Sequence, residues 1–378
     1  MTATTAPLVF VPGLGFRPPD SLMLRTPVTH QASDQGKEWS VSVDSVIADR
    51  DGTQVTVTIH GPFKMRGERF QQPEVEYQGF IQARDRSGTV SSEQGHIFPM
   101  SHSFSHAGTS ISCTANMDAL PARAEQLDIL IGEPLPITII PVTLMPLSDL
   151  ALPARAVHVS DEYHGVVLTA HAVARGADMT AVLLHATLRP HPRQRFMRSL
   201  GTIRDSPRET PGIIIEDESG AQISAFAATR ELSAGPELRT IAVFPGLPAD
   251  CQAATVLVPY VVLSEYLGSP LKLAVPYEGE ITLGDDKAHV TVTREAAPRG
   301  GSAVGVTFTG EWRDDRRLLY AESLSVDDRY GGVGFRGMPG EPPIQTWAED
   351  PTGEAATVAI ESPSVQLRGP WRLPLALP

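Results

Sequence analysis

Three segments of the chain carry residue types that could do chemistry. The first, GHIFPMSHSFSHAG, brings His96, His102 and His106 close together. Imidazoles spaced this way could share a zinc or copper ion. His102 and His106 would align on a helix, but Pro99 and the serines argue for a loop or strand. On a strand the same even spacing sets them about 13 Å apart. The segment reads as a solvated loop, and no metal and no cofactor is expected.

The second, GIIIEDESGAQIS, ends a β-branched run in the acids Glu216, Asp217 and Glu218. This is either a reactive carboxylate cluster or the turn between two strands. Related segments decide for the turn: IQARDRSGTV, IIIEDESGAQI and LSVDDRYGGVGF place Asp85, Asp217 and Asp328 three residues before Gly88, Gly220 and Gly331. Asp-x-x-Gly suits a type I turn, in which the aspartate caps backbone amides and the glycine closes the loop. The full acid trio does not recur, so it is expected to be a hairpin tip.

The third is basic and aromatic. FKMRGERF, RPHPRQRFMR and EWRDDRRLLY supply Arg66 and Arg69, then Arg193, Arg195 and Arg198, then Arg313, Arg316 and Arg317. Guanidinium groups hold carboxylate or phosphate in bidentate fashion, and an aromatic can stack on a guanidinium or a sugar. In a chain of formal charge −13, such patches point to an acidic protein or an anionic polymer as partner. The competing reading is a strand edge guarded by charge. Acids near the start of each unit (Asp34, then Asp161 and Glu162, then Asp285 and Asp286) could meet a calcium ion only if several carboxylates converged, and they read as solvated turn residues.

What must position these segments is a repeated β unit. The paired arms WSVSVDSVIADRDGTQVTVTIHG, VVLTAHAVARGADMTAVLLHATL and HVTVTREAAPRGGSAVGVTFTG each end in strict alternation: Val55/Val57/Ile59, Val182/Leu184/Ala186/Leu188 and Val304/Val306/Phe308. Period two marks a half-buried antiparallel strand. Gly52, Gly176 and Gly300 are expected to turn between the arms with positive φ. Each unit closes on a strand, a break and an apolar strand running into proline. With 32 glycines and 33 prolines in 378 residues, the pattern predicts an all-β chain of three tandem immunoglobulin-like β-sandwich domains forming an internal repeat, at 1–150, 151–277 and 278–378.

The leader FVPGLGF, the hairpin DRDGTQVTVTIHGP and the arm SPLKLAVP resemble the extracytoplasmic sandwich domains of bacterial membrane-anchored anti-sigma factors. The likeness is strongest across residues 8 to 150 and weaker through 276. It implies an outer-domain role in binding or sensing outside the cytoplasm. Neither sigma-binding helices nor a membrane span accompanies it here, so anti-sigma activity itself is not implied.

The remaining properties bound the function. The negative charge argues against nucleic acid as a partner. No run of about 18 apolar residues exists to span a membrane, and MTATTAPLVFVPGLGF lacks the basic start of a signal peptide. Cys113 and Cys251 stand alone and are expected as free thiols. No GxSxG, HExxH, GxxxxGK[ST] or GxGxxG motif is present. The expected function is therefore a non-catalytic binding, sensing or spacer protein. The alternative is a metal- or carboxylate-dependent hydrolase, or an enzyme accessory, with its site on the loops of one sandwich.

Overall fold

The computed structural model describes residues 7–34, 36–50, 52–61, 65–66, 74–75, 80–93, 101–105, 108–120, 124–132, 136–147, 151–189, 194–196, 200, 212–234, 236–283, 286–297, 301–310, 312–313, 315–329, 333–336, 345–350 and 352–378. Among them the architecture is all-β, a set of antiparallel sheets. No helix of the described residues is long and apolar enough to cross a membrane.

The alternating arms form the hairpins their period demands. Lys37–Ala48 pairs with Thr53–Gly61, Val166–Arg175 with Met179–Leu188, and Asp286–Ala296 with Ser302–Gly310. Each buries the apolar face named above; the alternate residues are half-covered or exposed along Thr53–Gly61, whereas Met179–Leu188 and Ser302–Gly310 also bury Ala181, Leu183 and Ala303. The turn glycines act differently from expectation. Neither Gly52 nor Gly176 has a left-handed φ; a side chain at Gly52 would meet the Met117 carbonyl oxygen at 2.9 Å, and one at Gly176 the Leu152 side chain at 3.0 Å. Space, and not backbone freedom, calls for glycine there. Gly300 lies outside the described residues, and its neighbour Gly301 takes the positive φ, 87°.

The chain divides into two compact units, Met1–Ala151 and Leu152–Pro378. In the first, two sheets enclose one core. One sheet brings Ile81, Ala83, Leu127, Ile129, Ile131, Ile140 and Val142; the other brings Trp39, Val41, Val43, Val55, Val57, Ile59, Ile111 and Cys113. These residues face inward at every second position, which is the construction of a β-sandwich. Cys113 is a free thiol within that core, and burial pushes its pKa up to about 11.

The expected boundary at 277 lies inside the second unit. One strand, Thr357–Ala376, explains why. Its first part pairs with Leu271–Ala274 on one side and Arg316–Val326 on the other. Its later part pairs with Ala253–Glu265. Strands from both sides of residue 277 thus share a sheet, and their apolar residues form one continuous core from Val166 to Leu377. The sheets Leu152–Tyr163/Val166–Arg175/Met179–Leu188/Glu237–Pro245/Ala227–Ala234 and Tyr277–Leu283/Asp286–Ala296/Ser302–Gly310/Gln345–Asp350/Val333–Arg336 both contribute to that core.

The sequence suggested a break within the last strand at its prolines, yet it runs through them. Pro363 lies beside a register shift in Arg316–Val326, between Ala321 and Ser323. Gly369 and Pro370 lie opposite a shift between Val258 and Tyr260. Prolines lack an N–H, and they sit where the partner ladder is already irregular, so the strand bends there without ending.

Candidate functional site: an arginine–aromatic surface

Two basic segments that lie far apart in sequence border the same pair of strands. Gln194–Phe196 pairs with Ala253–Glu265, placing Arg195 opposite Ser264. Ser264 is opposite Ser364, and Ser364 is opposite Tyr320 on the strand that begins with Arg316 and Arg317. Arg195 and the Arg316 segment therefore lie on the two outer strands of a four-strand ladder. At the usual strand spacing those outer strands are about 14 Å apart.

The Arg313–Arg317 turn is tightly built. Arg313 and Arg316 exchange backbone hydrogen bonds, each of 2.8 Å, around a left-handed Asp315 with φ 62°. The Asp315 carboxylate accepts the Tyr163 hydroxyl at 2.8 Å, and its carbonyl accepts the Arg368 amide at 2.7 Å. The first of these bonds raises the Tyr163 pKa, with burial and the Asp315 charge adding to it. Tyr163 in turn stands edge-on to Trp371, ring centres 5.9 Å apart.

At the centre of the surface is Trp312. The Arg317 guanidinium lies 4.5 Å from its ring centre and that of Arg368 3.9 Å. Stacking on an indole fixes a guanidinium plane while leaving its N–H edge to donate. Arg317 also donates through Nε to Gln366 at 2.8 Å, and Arg316 is ion-paired with Glu265. Arg195, Arg313 and Arg368 are exposed. The assembly offers preorganised donors to carboxylate or phosphate groups. Trp312 stood within the quoted segment EWRDDRRLLY, but Arg368 comes from the last strand, and no local pattern joined it to the others.

The other sequence candidates divide. Arg69, Arg193, Arg198, His96 and His106 lie outside the described residues. Arg66 belongs to the strand Met65–Arg66, and His102 stands opposite Ile111 in the strand Ser101–Ser105. Among the described residues no group of histidine, cysteine and carboxylate side chains could hold a metal ion. Asp34 closes a hairpin opposite Lys37, and Asp286 one opposite Leu283, while Asp285 is outside the described residues. The Asp161 carboxylate accepts the Arg372 amide at 2.8 Å, and Glu162 pairs with Arg189 at 2.7 Å.

The acid trio is a turn. Asp217 Oδ1 accepts the Ser219 hydroxyl at 2.6 Å and the amides of Ser219 and Ala221 at 2.8 and 2.9 Å, while Gly220 closes with φ 83°. The Ser219 hydroxyl leads the contacts that lower the Asp217 pKa. Asp85 caps Ser87 and Thr89 in the same way. Asp328 breaks the series. With Asp327 it forms a two-residue turn in which both have positive φ, and its carboxylate pairs with Lys272 at 2.7 Å. The equivalent cap in the last third of the chain is Asp350, which accepts the amides of Thr352, Gly353 and Ala355 at 3.0 Å each. DPTG at 350–353 carries the same Asp-x-x-Gly spacing, so the signal was present in the sequence.

A row of histidines was also missed. His158, His171 and His185 stand side by side on three neighbouring strands of the second unit. Burial, followed by the charges of His185, His158 and Arg239, pushes the His171 pKa down to about 4. Positions 158, 171 and 185 in three separate arms give no sequence cluster; only strand register brings them together.

No family model matches the chain, and no curated protein matches it. A solved structure, that of a conserved domain protein from Bacillus anthracis, aligns over 66% of this chain and 81% of its own, with a TM-score of 0.31 and 9% identity.

Proposed function

We propose that this is a non-catalytic binding protein of immunoglobulin-like sandwiches whose Arg195/Arg313–Arg317/Arg368 surface takes an acidic protein or anionic polymer. In this reading it serves as a sensing or binding module, in the manner of the outer domains of anti-sigma regulators. The observation that carries it is the position of Arg195 and the Arg316 segment on either side of one strand pair, with the guanidinium groups of Arg317 and Arg368 both stacked on Trp312. A single small anion does not bridge strands about 14 Å apart, whereas an extended anionic chain or a protein surface does. Exposed charges are screened beyond about 8 Å at physiological ionic strength, so each cluster contributes chiefly to whatever docks directly on it.

The test uses poly-glutamate as the probe across a salt series. The Arg313→Ala/Arg317→Ala/Arg368→Ala variant should weaken binding about tenfold at low salt and flatten the salt dependence. That scale corresponds to about 0.5 kcal/mol for each exposed charge contact. Equal salt slopes for wild type and variant, in folded protein, would overturn the reading.

A further inference from the structure

The histidine row is built by backbone irregularities. The ring centres of His158 and His171 lie 5.4 Å apart in an edge-to-face pair, and those of His171 and His185 5.5 Å apart. Register shifts fall between Ala156 and Val159 on one strand and between Ala170 and Ala172 on the next. His158 and His171 therefore both sit in bulges, at the same level of adjacent strands. Bulges re-aim side chains that a regular ladder would send elsewhere. His158 additionally takes a left-handed φ of 51°, a conformation uncommon outside glycine.

Charged groups meet the row at its far end. Arg239 stands opposite His185 on Glu237–Pro245. The Glu237 carboxylate lies 3.6 Å from His185 Nε2, and that nitrogen is buried with no hydrogen-bond partner among the described residues. His171 faces His185, His158 and Arg239 within the row. A second proton on His171 is disfavoured by burial first and by those neighbours next. The closed row thus tolerates charge on His171 poorly.

We propose that His158, His171 and His185 form an acid-responsive element: a proton that the closed row does not accommodate on His171 is taken up when the ring stack breaks at the paired bulges and the Leu152–Tyr163/Val166–Arg175 hairpin opens. Its sign follows from linkage. The folded-state value for His171, about 4, lies below its ordinary 6.5. The opened state therefore binds more protons between these values, and closure weakens as pH falls through that window. A free His171 ring at pH 5 would favour opening by up to about 30-fold relative to neutral pH, less for a ring that keeps partial contact with water.

Amide hydrogen exchange of the full chain at pH 7.5 and pH 5, corrected for the intrinsic chemical rate, tests this. The expected result is a loss of protection of about ten- to 30-fold in residues 152–175 at the lower pH, with little change in the first unit. His171→Phe keeps an aromatic ring in the row and removes its titration, so the acid-dependent part should disappear. Unchanged protection in wild type, or the same loss in the variant, would overturn the proposal. If the variant does not fold, ring-proton NMR titration of wild type decides. A His171 ring that titrates near its ordinary value refutes the element, and one displaced toward 4 supports it.

Discussion

The indole Nε1–H of Trp371 donates to the backbone carbonyl oxygen of Val166 at 3.1 Å, across 205 positions of chain. Trp371 is fully buried, so this bond ties the last strand to the first sheet of the second unit inside their common core. Trp371→Phe removes ring volume and leaves a buried carbonyl without its donor. The expected cost is about 2 to 4 kcal/mol, from the cavity and the lost bond together. Denaturant unfolding followed by near-ultraviolet circular dichroism should show a lower midpoint with an unchanged slope.

Because Thr357–Ala376 is a ladder partner of strands on both sides of residue 277, Leu152–Pro378 should unfold as one cooperative transition. Cys251, buried in the common core, supplies one probe, and Trp347, on the strand Gln345–Asp350 beyond residue 277, a second. Thiol labelling of Cys251 and fluorescence of Trp347, both read on one variant that retains only this cysteine and this tryptophan, should give coincident midpoints. Two separated transitions would mean that the shared strand does not couple the two halves.

The Asp350 carboxylate, almost fully buried, gives the acid limb of stability a named source. Burial alone would raise its pKa, but the amides of Ala355, Thr352 and Gly353 and the Thr352 hydroxyl outweigh burial and hold it below 3.8. The unfolded chain then takes up the proton first as pH falls. The contribution is present above 3.8 and is lost as pH falls through the lower folded value. Asp350→Asn should cost about 1 kcal/mol or more at neutral pH, the scale of a lost side-chain cap, and should flatten the decline below pH 4. Thermal midpoints measured from pH 6 to pH 2 decide the matter, and parallel curves for both proteins would remove Asp350 from the account.

These features differ in how far the sequence could announce them. The arms ending in Ile59, Leu188 and Phe308 were legible because alternation is local and one buried face forces it. The choice of partner was not legible, because period two says which face is buried and nothing about which strand lies alongside. That is why Thr357–Ala376 was read as two strands and the boundary at 277 was expected. The convergence of Arg195 with Arg316 and the alignment of three histidines depend on the same non-local register, the latter also on bulges that shift the count. Asp350 was overlooked for a different reason: Asp328 has the right spacing to Gly331, yet its turn with Asp327 is closed by the Val326↔Arg329 bridge instead.

Glu265 is the acid ion-paired with Arg316 of the proposed anion surface, and both are about three-quarters covered. The strand of Glu265 carries the Arg195 edge on one side, and the Glu265 carboxylate opposes the charge of Arg316. Glu265→Gln keeps the shape and removes the charge. If Arg316 contributes to binding, the variant should hold poly-glutamate several-fold more tightly at low salt, chiefly through faster association, and its salt dependence should steepen. The two arms of a cycle separate binding from structure: Arg316→Gln should weaken binding and lower stability, and the double variant should regain much of the stability but not the affinity. Association rates across ionic strength, measured beside thermal midpoints, give both quantities on the same protein. If Glu265→Gln lowers stability and leaves the association rate and its salt slope untouched, the Arg316–Glu265 pair serves the sheet alone and the anion surface must be sought without it.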